Sequence, residues 1–331
     1  MLIENCQNAP AFKLKPVKFN SILRHDENIL WGGSMTRTPD GKCHLFLSVW
    51  PRKYGFESWP VHSQVAYAVS DSLHEPFDYK GIVFHGSRKP KGWDRDVIHN
   101  PTVHYWDGKF YLYYTGNFGN GEYWNHRNNQ RIGVAIAENP FGPWKRFDKP
   151  LLDISHGCWD CLLTTNPSVC RMPDGRYILI YKAVGDQSPP PMCGPVLHGV
   201  AFSESPTGPF IKHETPVFTS KNINFPGEDP YVFTHKGMIY TILKDVHSSY
   251  YPSVSKSLVL FQSKDGINWE LSENTLVATR NIVWEDGSQQ EVFRLERPQL
   301  YIENGSPVAL FTAVKPSADI DDAYNIHFDL S

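Results

Sequence analysis

One hairpin is written five times in this chain. "HNPTVHYWDGKFYLYYTGN" begins at His99, "TNPSVCRMPDGRYILIYKA" at Thr165, "EDPYVFTHKGMIYTILKD" at Glu228 and "ERPQLYIENGSPVALFTAV" at Glu296. A fifth, earlier copy, "GGSMTRTPDGKCHLFLSVW", begins at Gly32, with Ser34 where the others have proline. The residue before the proline position is Gly33, Asn100, Asn166, Asp229 and Arg297 in turn, which spaces the copies 63 to 68 residues apart. A fixed period of this length fixes the architecture before any single residue does.

Each copy has a second half. After a variable insertion come "SQVAYAVSDSLHEPFDYKG", "RIGVAIAENPFGPWKRFDK", "HGVAFSESPTGPFIKHE" and "SLVLFQSKDGINWELSENT", and the last copy ends in "YNIHFDLS". Alternation of apolar residues at period two marks strands, and Asp-Gly and Gly-Pro pairs supply the turns. Each unit therefore holds four short antiparallel strands. Four-stranded units repeated radially make a propeller, so we expect an all-β, five-bladed β-propeller occupying residues 1–331 as a single domain. The fifth copy lacks an outer strand. The N-terminal segment over 11–20 is expected to supply it, pairing with the C-terminal strand and closing the ring, which removes an exposed edge.

The composition narrows the partners. The formal net charge is −3, which argues against nucleic acid. No apolar run approaches the ~18 residues of a membrane span. The N-terminus has no continuous apolar core of the kind a signal peptide carries, so a cytoplasmic location is expected, or a periplasmic or secreted one if a signal has been removed. The six cysteines include Cys158 and Cys161 in a C-x-x-C spacing. With no second such pair and no βαβ context, they read as ordinary thiols in a reducing compartment.

In a propeller the innermost strands line the axis. The five proline sites therefore converge, and they bring together Gly32-Gly33, His99-Asn100, Thr165-Asn166, Glu228-Asp229 and Glu296-Arg297. Carboxylates in a narrow cavity are costly unless paired or used. Two readings stand: an inter-blade ion network, or a catalytic cluster. Six residues before Asn100 and Asn166 stand Trp93-Asp94 and Trp159-Asp160. A tryptophan beside a carboxylate suits a sugar, the ring stacking on its apolar face and the carboxylate taking hydroxyls. The same pair also suits a structural Trp with a turn-capping Asp. Trp31 joins Trp93 and Trp159 as a candidate platform. His99 reads as a hydroxyl ligand or a satisfied core residue. Lys182 and Lys244 occupy comparable places on two second strands, fit either to hold an anionic substituent or to pair with the acids.

The five hairpins, the Gly-Pro-aromatic turns and "GEDPYVF" resemble the five-bladed propeller glycosidases of glycoside hydrolase families 43, 32 and 117, over essentially the whole chain. The resemblance implies a glycosidase with Glu228 as its general acid, since Glu228-Asp229-Pro230 matches the position of the family 43 acid on blade four. "LERPQL" resembles a Glu-Arg-Pro-Lys motif of galactan-active members, and "GEDP" also resembles the Glu-Asp-Pro of family 130 mannoside phosphorylases. The chain departs from the pattern on blade one, where Gly33-Ser34 stands in place of a base Asp, and on blade three, where Asn166 stands in place of a tuning Asp. It looks like a divergent branch.

Glycoside hydrolysis needs a protonated acid and a second carboxyl group. The expected partner of Glu228 is Asp94, Asp160 or Glu296, and the crowding of acids is expected to raise the pKa of Glu228. His99, Asn100, Asn166, Asp229 and Arg297 are expected to bind substrate. Long insertions at 50–64, 116–131, 185–197 and 245–257 all follow a second strand. They would wall the cavity into a pocket and so favour exo action on plant or algal oligosaccharides, with Trp50, Trp59, Tyr123 and Trp124 at the rim. No cofactor is expected, an axial divalent ion being left open, and the chain is expected to be a monomer or small homo-oligomer. A phosphorylase and a non-catalytic carbohydrate-binding propeller are the alternatives.

Overall fold

Turn residues and alternation make each copied segment a hairpin. In a computed structural model, which describes residues 9–331, the inner strands are Asn28–Arg37, Val97–Trp106, Leu163–Arg171, Gly227–His235 and Arg294–Glu303. Each pairs antiparallel with the strand after its turn: Cys43–Pro51, Lys109–Asn117, Tyr177–Val184, Met238–Asp245 and Ser306–Lys315. Third strands follow at Gln64–Ser70, Arg131–Ala137, Val196–Ser203, Leu258–Ser263 and Tyr324–Asp329. The result is a ring of five antiparallel sheets, the β-propeller expected from the repeat.

The outer edges differ among blades. Asp78–Phe84, Ile211–Lys212 and Glu270–Ala278 are the fourth strands of blades one, three and four. Blade two has only isolated bridges there, Ile136 with Lys145 and Ile132 with Leu152. Its outer segment holds Pro140, Pro143 and Pro150, which cannot donate to a ladder. On blade five the N-terminal segment does lie along the C-terminal strand. Lys15 N–H donates to Asp329 O and Leu23 N–H to Asn325 O, both at 2.9 Å. It does so through bridges rather than a continuous strand, because Pro16 lacks a donor and Phe19–Ser21 turns as a 3-10 helix. An additional hairpin, Asn281–Val283 with Gln289–Glu291, sits between blades four and five and was not foreseen.

The apolar core lies between blades, because alternate side chains of every strand face opposite neighbours. Phe46, Val103 and Tyr114 pack between blades one and two. Val232, Ile178 and Leu243 pack between three and four, and Leu45, Ala309 and Phe311 between five and one. Among the described residues no helix is long and apolar enough to cross a membrane, and Cys43, Cys158, Cys161, Cys170 and Cys193 are free thiols.

Candidate active site

Every inner strand carries a bulge at the same place. The pairing register slips between Trp31 and Ser34, His99 and Thr102, Thr165 and Ser168, Glu228 and Tyr231, and Glu296 and Gln299. The residue after the first of each pair is left-handed: Gly32 at φ +63°, Asn100 at +50°, Asn166 at +52°, Asp229 at +54° and Arg297 at +57°. This corrects the register read for the first copy. Gly32, not Gly33, is the equivalent of Asn100, and Gly33 stands where the other copies have proline.

The bulge divides the work between two adjacent residues. The left-handed residues meet around the axis. Asn100 Nδ2 donates to Asn166 Oδ1 at 2.7 Å, and Asn166 Nδ2 donates to Asp229 Oδ1 at 2.6 Å. The Arg297 backbone N–H donates to Asp229 Oδ2 at 3.3 Å, and its guanidinium reaches Asp229 Oδ1 at 3.4 Å and Pro101 O at 3.5 Å. Arg297 passes over Gly32, where a Cβ would lie 3.1 Å from its Cγ, so the first position needs glycine for room as well as for φ. Burial pushes the Asp229 carboxyl up, and Arg297 pulls against that.

The residues just before them, Trp31, His99, Thr165, Glu228 and Glu296, line a cavity of about 280 Å³ at the mouth of the axis. Trp50, Trp59, Tyr123 and Trp124 line it too, as the sequence led us to expect. Trp59 stacks on His99 with centroids 4.6 Å apart, and Ser63 Oγ hydrogen-bonds His99 Nδ1 at 2.8 Å. Burial, with Arg297 and Lys182 adding to it, holds His99 well below its ordinary range, so its ring is neutral here. The insertions after blades one, two and three form the wall through Phe56, Tyr123 and Met192. The insertion after blade four does not: Asp245 accepts the N–H groups of Ser249, Tyr250 and Tyr251 and folds it back on itself.

Lys182 and Lys244 are ion-paired. Lys182 Nζ lies 2.6 Å from Glu228 Oε1, and Lys244 Nζ lies 3.5 Å from Glu228 Oε2 and in close contact with Glu296 Oε1. Arg294, unnoticed in the sequence, approaches Glu296 Oε2 at 3.8 Å and Glu57 at 3.1 Å. One oxygen each of Glu228, Asp229 and Glu296 lie within 4.8 Å of one another. Such a trio could hold a cation, and the Lys244 ammonium already serves two of its members. Burial raises the Glu228 carboxyl, but Lys182 and Lys244 overcome it and hold the group well below the usual carboxylate range. This reverses the raised pKa expected from crowded acids. Those same acids, Glu296 foremost, outweigh the burial of Lys244 and hold its ammonium above its ordinary value.

The Trp-Asp pairs lie elsewhere. Asp94 is buried against Tyr114 Oη (2.9 Å) and Arg146 Nη1 (3.1 Å), and Asp160 against Tyr181 Oη (3.1 Å) and Lys212 Nζ (2.5 Å). Trp93 stacks on Tyr114 and Trp159 on Tyr181. None of Trp93, Asp94, Trp159 and Asp160 lines the cavity. Each pair locks the run-in of an inner strand onto the outer part of its own blade, so their shared spacing reports architecture. Sequence reasoning missed Arg294, Arg127, Glu57 and Gln130 on the cavity wall; three of these sit in insertions or at their ends, where no periodicity singles out a residue.

The sequence matches no family model, and no curated protein matches it. Solved structures do. A family 117 glycoside hydrolase, Zg3597, from the marine bacterium Zobellia galactanivorans is 21% identical, with a TM-score of 0.66 over 96% of this chain and 90% of that one. The fold is the one glycoside hydrolases of this kind share. The family 43 β-xylosidase/α-arabinofuranosidase CoXyl43 from a compost microbial metagenome, solved with xylotriose, is 14% identical, with a TM-score of 0.60 over 97% of this chain and 95% of that one. A GH43_1 enzyme from Xanthomonas citri, solved with xylose, is 16% identical, with a TM-score of 0.62 over 94% and 90%. At these identities the likeness is one of fold.

Proposed function

We propose that this chain is a glycoside hydrolase that removes a terminal sugar from an oligosaccharide, with Glu228 as general acid and Glu296 as its carboxylate partner. The observation that carries the reading is two glutamates from neighbouring blades, with oxygens within 4.8 Å, at the floor of a cavity walled by tryptophans. Tryptophan faces suit the apolar faces of sugar rings, and a carboxyl pair is what glycosidic cleavage uses. Neighbours in fold that were solved with xylose and xylotriose support a saccharide ligand. Walls from three insertions favour a pocket, hence exo action.

The acid role asks for a proton on Glu228, which in the free protein is held ionised. Lys244 makes its closer contact with Glu296, so the lysine that governs Glu228 is Lys182. Lys182 is also the more exposed of the two, at 16% of its side chain against 8%. A sugar that displaces Lys182 leaves burial as the dominant influence on Glu228, and burial favours the protonated form. Glu296, with Lys244 and Arg294 against it, is then the base or nucleophile.

The test is a release screen on aryl glycosides and plant or algal oligosaccharides, with and without phosphate. We expect release that is indifferent to phosphate and lost in Glu228→Gln. Release only with phosphate would select phosphorolysis. Sugar binding without any release would make the chain a carbohydrate-binding propeller.

A further inference from the structure

Five cations stand in or beneath the cavity, and four face carboxylates: Lys182, Lys244, Arg294 and Arg297. Arg127 is the exception. Among the described residues it pairs with no carboxylate, although its side chain lines the cavity. It belongs to the short helix Tyr123–Asn128, in the insertion after the second strand of blade two. Its Nη1 donates to Asn128 Oδ1 at 2.9 Å and to Met192 O at 2.8 Å, and its guanidinium carbon lies 5.6 Å from the centre of the Trp124 ring. These contacts pin the group. Its Nε and Nη2 have no partner among the described residues. Burial holds its pKa below the ordinary arginine value, against weaker opposing influences of which Tyr123 is the largest. A guanidinium fixed at one nitrogen, with its other edge unused and its side chain on the wall of a sugar-sized cavity, offers the fork geometry that receives a carboxylate or sulfate.

We propose that Arg127 binds an anionic substituent of the saccharide, the carboxylate of a uronic acid or a sulfate ester, at the wall of the cavity. The inference rests on the saccharide reading and goes beyond it by naming the substrate class. Lys182 and Lys244, the basic residues that the sequence offers for this task, are paired with Glu228 and Glu296 in the free protein, whereas Arg127 is paired with no carboxylate among the described residues before a ligand arrives. In the free protein the charge count agrees: five cations, Arg127, Lys182, Lys244, Arg294 and Arg297, stand with four carboxylates, Glu57, Glu228, Asp229 and Glu296, so the cavity carries an excess of one positive charge.

The experiment measures binding of the full chain by calorimetry to three sets of oligosaccharides of matched length: neutral arabinan, xylan and galactan fragments; uronate-bearing pectin and glucuronoxylan fragments; and sulfated galactan fragments. We expect one acidic set to bind more tightly than the neutral set, with an affinity that falls as salt rises; which acidic set binds identifies the anion. Arg127→Met should weaken that binding by about 10- to 100-fold, the worth of hydrogen bonds to a charged group. It should leave neutral binding unchanged, and Arg127→Lys should restore part of the loss. The circular dichroism and thermal midpoint of both variants establish that they fold. Neutral fragments binding as well as acidic ones, no acidic fragment binding, or Arg127→Met binding acidic fragments like the unaltered protein each overturns the proposal. Turnover of neutral and acidic glycosides alike, with no preference that depends on Arg127, would sink this inference and spare the hydrolase reading. Arg127-dependent binding of acidic fragments without release would do the opposite.

Discussion

Lys182 Nζ lies 2.6 Å from Glu228 Oε1, across the boundary between blades three and four. The contact makes a lysine on one blade the regulator of a carboxyl group on the next. Removing the ammonium removes the largest influence that lowers the pKa of Glu228 and leaves burial, which raises it. An acid must hold its proton to work, and activity fails as pH rises through its pKa. Lys182→Met should therefore move the alkaline limb of the kcat/KM profile to higher pH. A limb that stays in place, or moves down, would take Lys182 out of this role.

Glu228→Gln separates acid from base. An acid matters most when the leaving group is poor. The substitution should lower turnover of natural glycosides by about 10²–10⁴-fold, the usual worth of acid–base catalysis, and spare aryl glycosides with activated leaving groups. Glu296→Gln should depress both. An equal loss on both substrate types in Glu228→Gln would make Glu228 the base or nucleophile.

The spacing of the pair makes a stereochemical prediction. One oxygen of Glu228 and one of Glu296 lie within 4.8 Å of each other, a close approach that suits the ~5–5.5 Å carboxyl separation of retaining enzymes better than the ~6.5–9.5 Å of inverting ones. Proton NMR of the first-formed sugar should show the anomer of the substrate. The opposite anomer would mean that another group, with room for a water, completes the site.

Asp94→Asn and Asp160→Asn should leave kcat/KM within a few-fold of normal and lower the thermal midpoint. Each replacement weakens a buried, charge-assisted contact, with Arg146 or Lys212, at a cost of about 1–3 kcal/mol. A loss of activity without a loss of stability would return these residues to the chemistry.

At the axis the expected effects are on stability. Arg297→Met leaves Asp229 buried without its cation, which should cost about 3–5 kcal/mol in denaturant titration. Gly32→Ala forces a left-handed conformation on an L-residue and crowds Arg297, at about 1–2 kcal/mol for the backbone alone. A cost no larger than that would mean that Arg297 is free to move aside.

The blades were legible because strand alternation and turn chemistry repeat, and repetition survives one irregular copy. Where the copy lacked its proline, the eye placed the bulge one residue late, since nothing in "WGGSM" distinguishes Gly32 from Gly33 until Arg297 is seen lying over the first. Glu228 and Glu296 could be placed together because they hold the same position in neighbouring copies. The Trp-Asp pairs also share a position, and that regularity misled: a recurring residue in a repeat protein is recurring architecture unless it faces the axis. The charge state of Glu228 was out of reach, because it depends on which oxygen each lysine meets. Arg127 lay in an insertion, where spacing carries no information.

The bulge gives each blade two neighbouring positions with separate duties. The second of each pair is tied to the axial girdle and answers to every other blade. The first lines the cavity and takes its partners from the neighbouring blades and insertions, His99 from Ser63 and Glu228 from Lys182. The sequence Trp, His, Thr, Glu, Glu read around those first positions is thus a five-place register, each place contributed by a different blade. Thr165, the one place of the five that holds neither a ring nor a charge, is tied by its hydroxyl to Asn166 Oδ1 at 2.9 Å and to Thr115 Oγ1 at 3.0 Å, so even this place can be exchanged only for a residue that keeps a hydroxyl there.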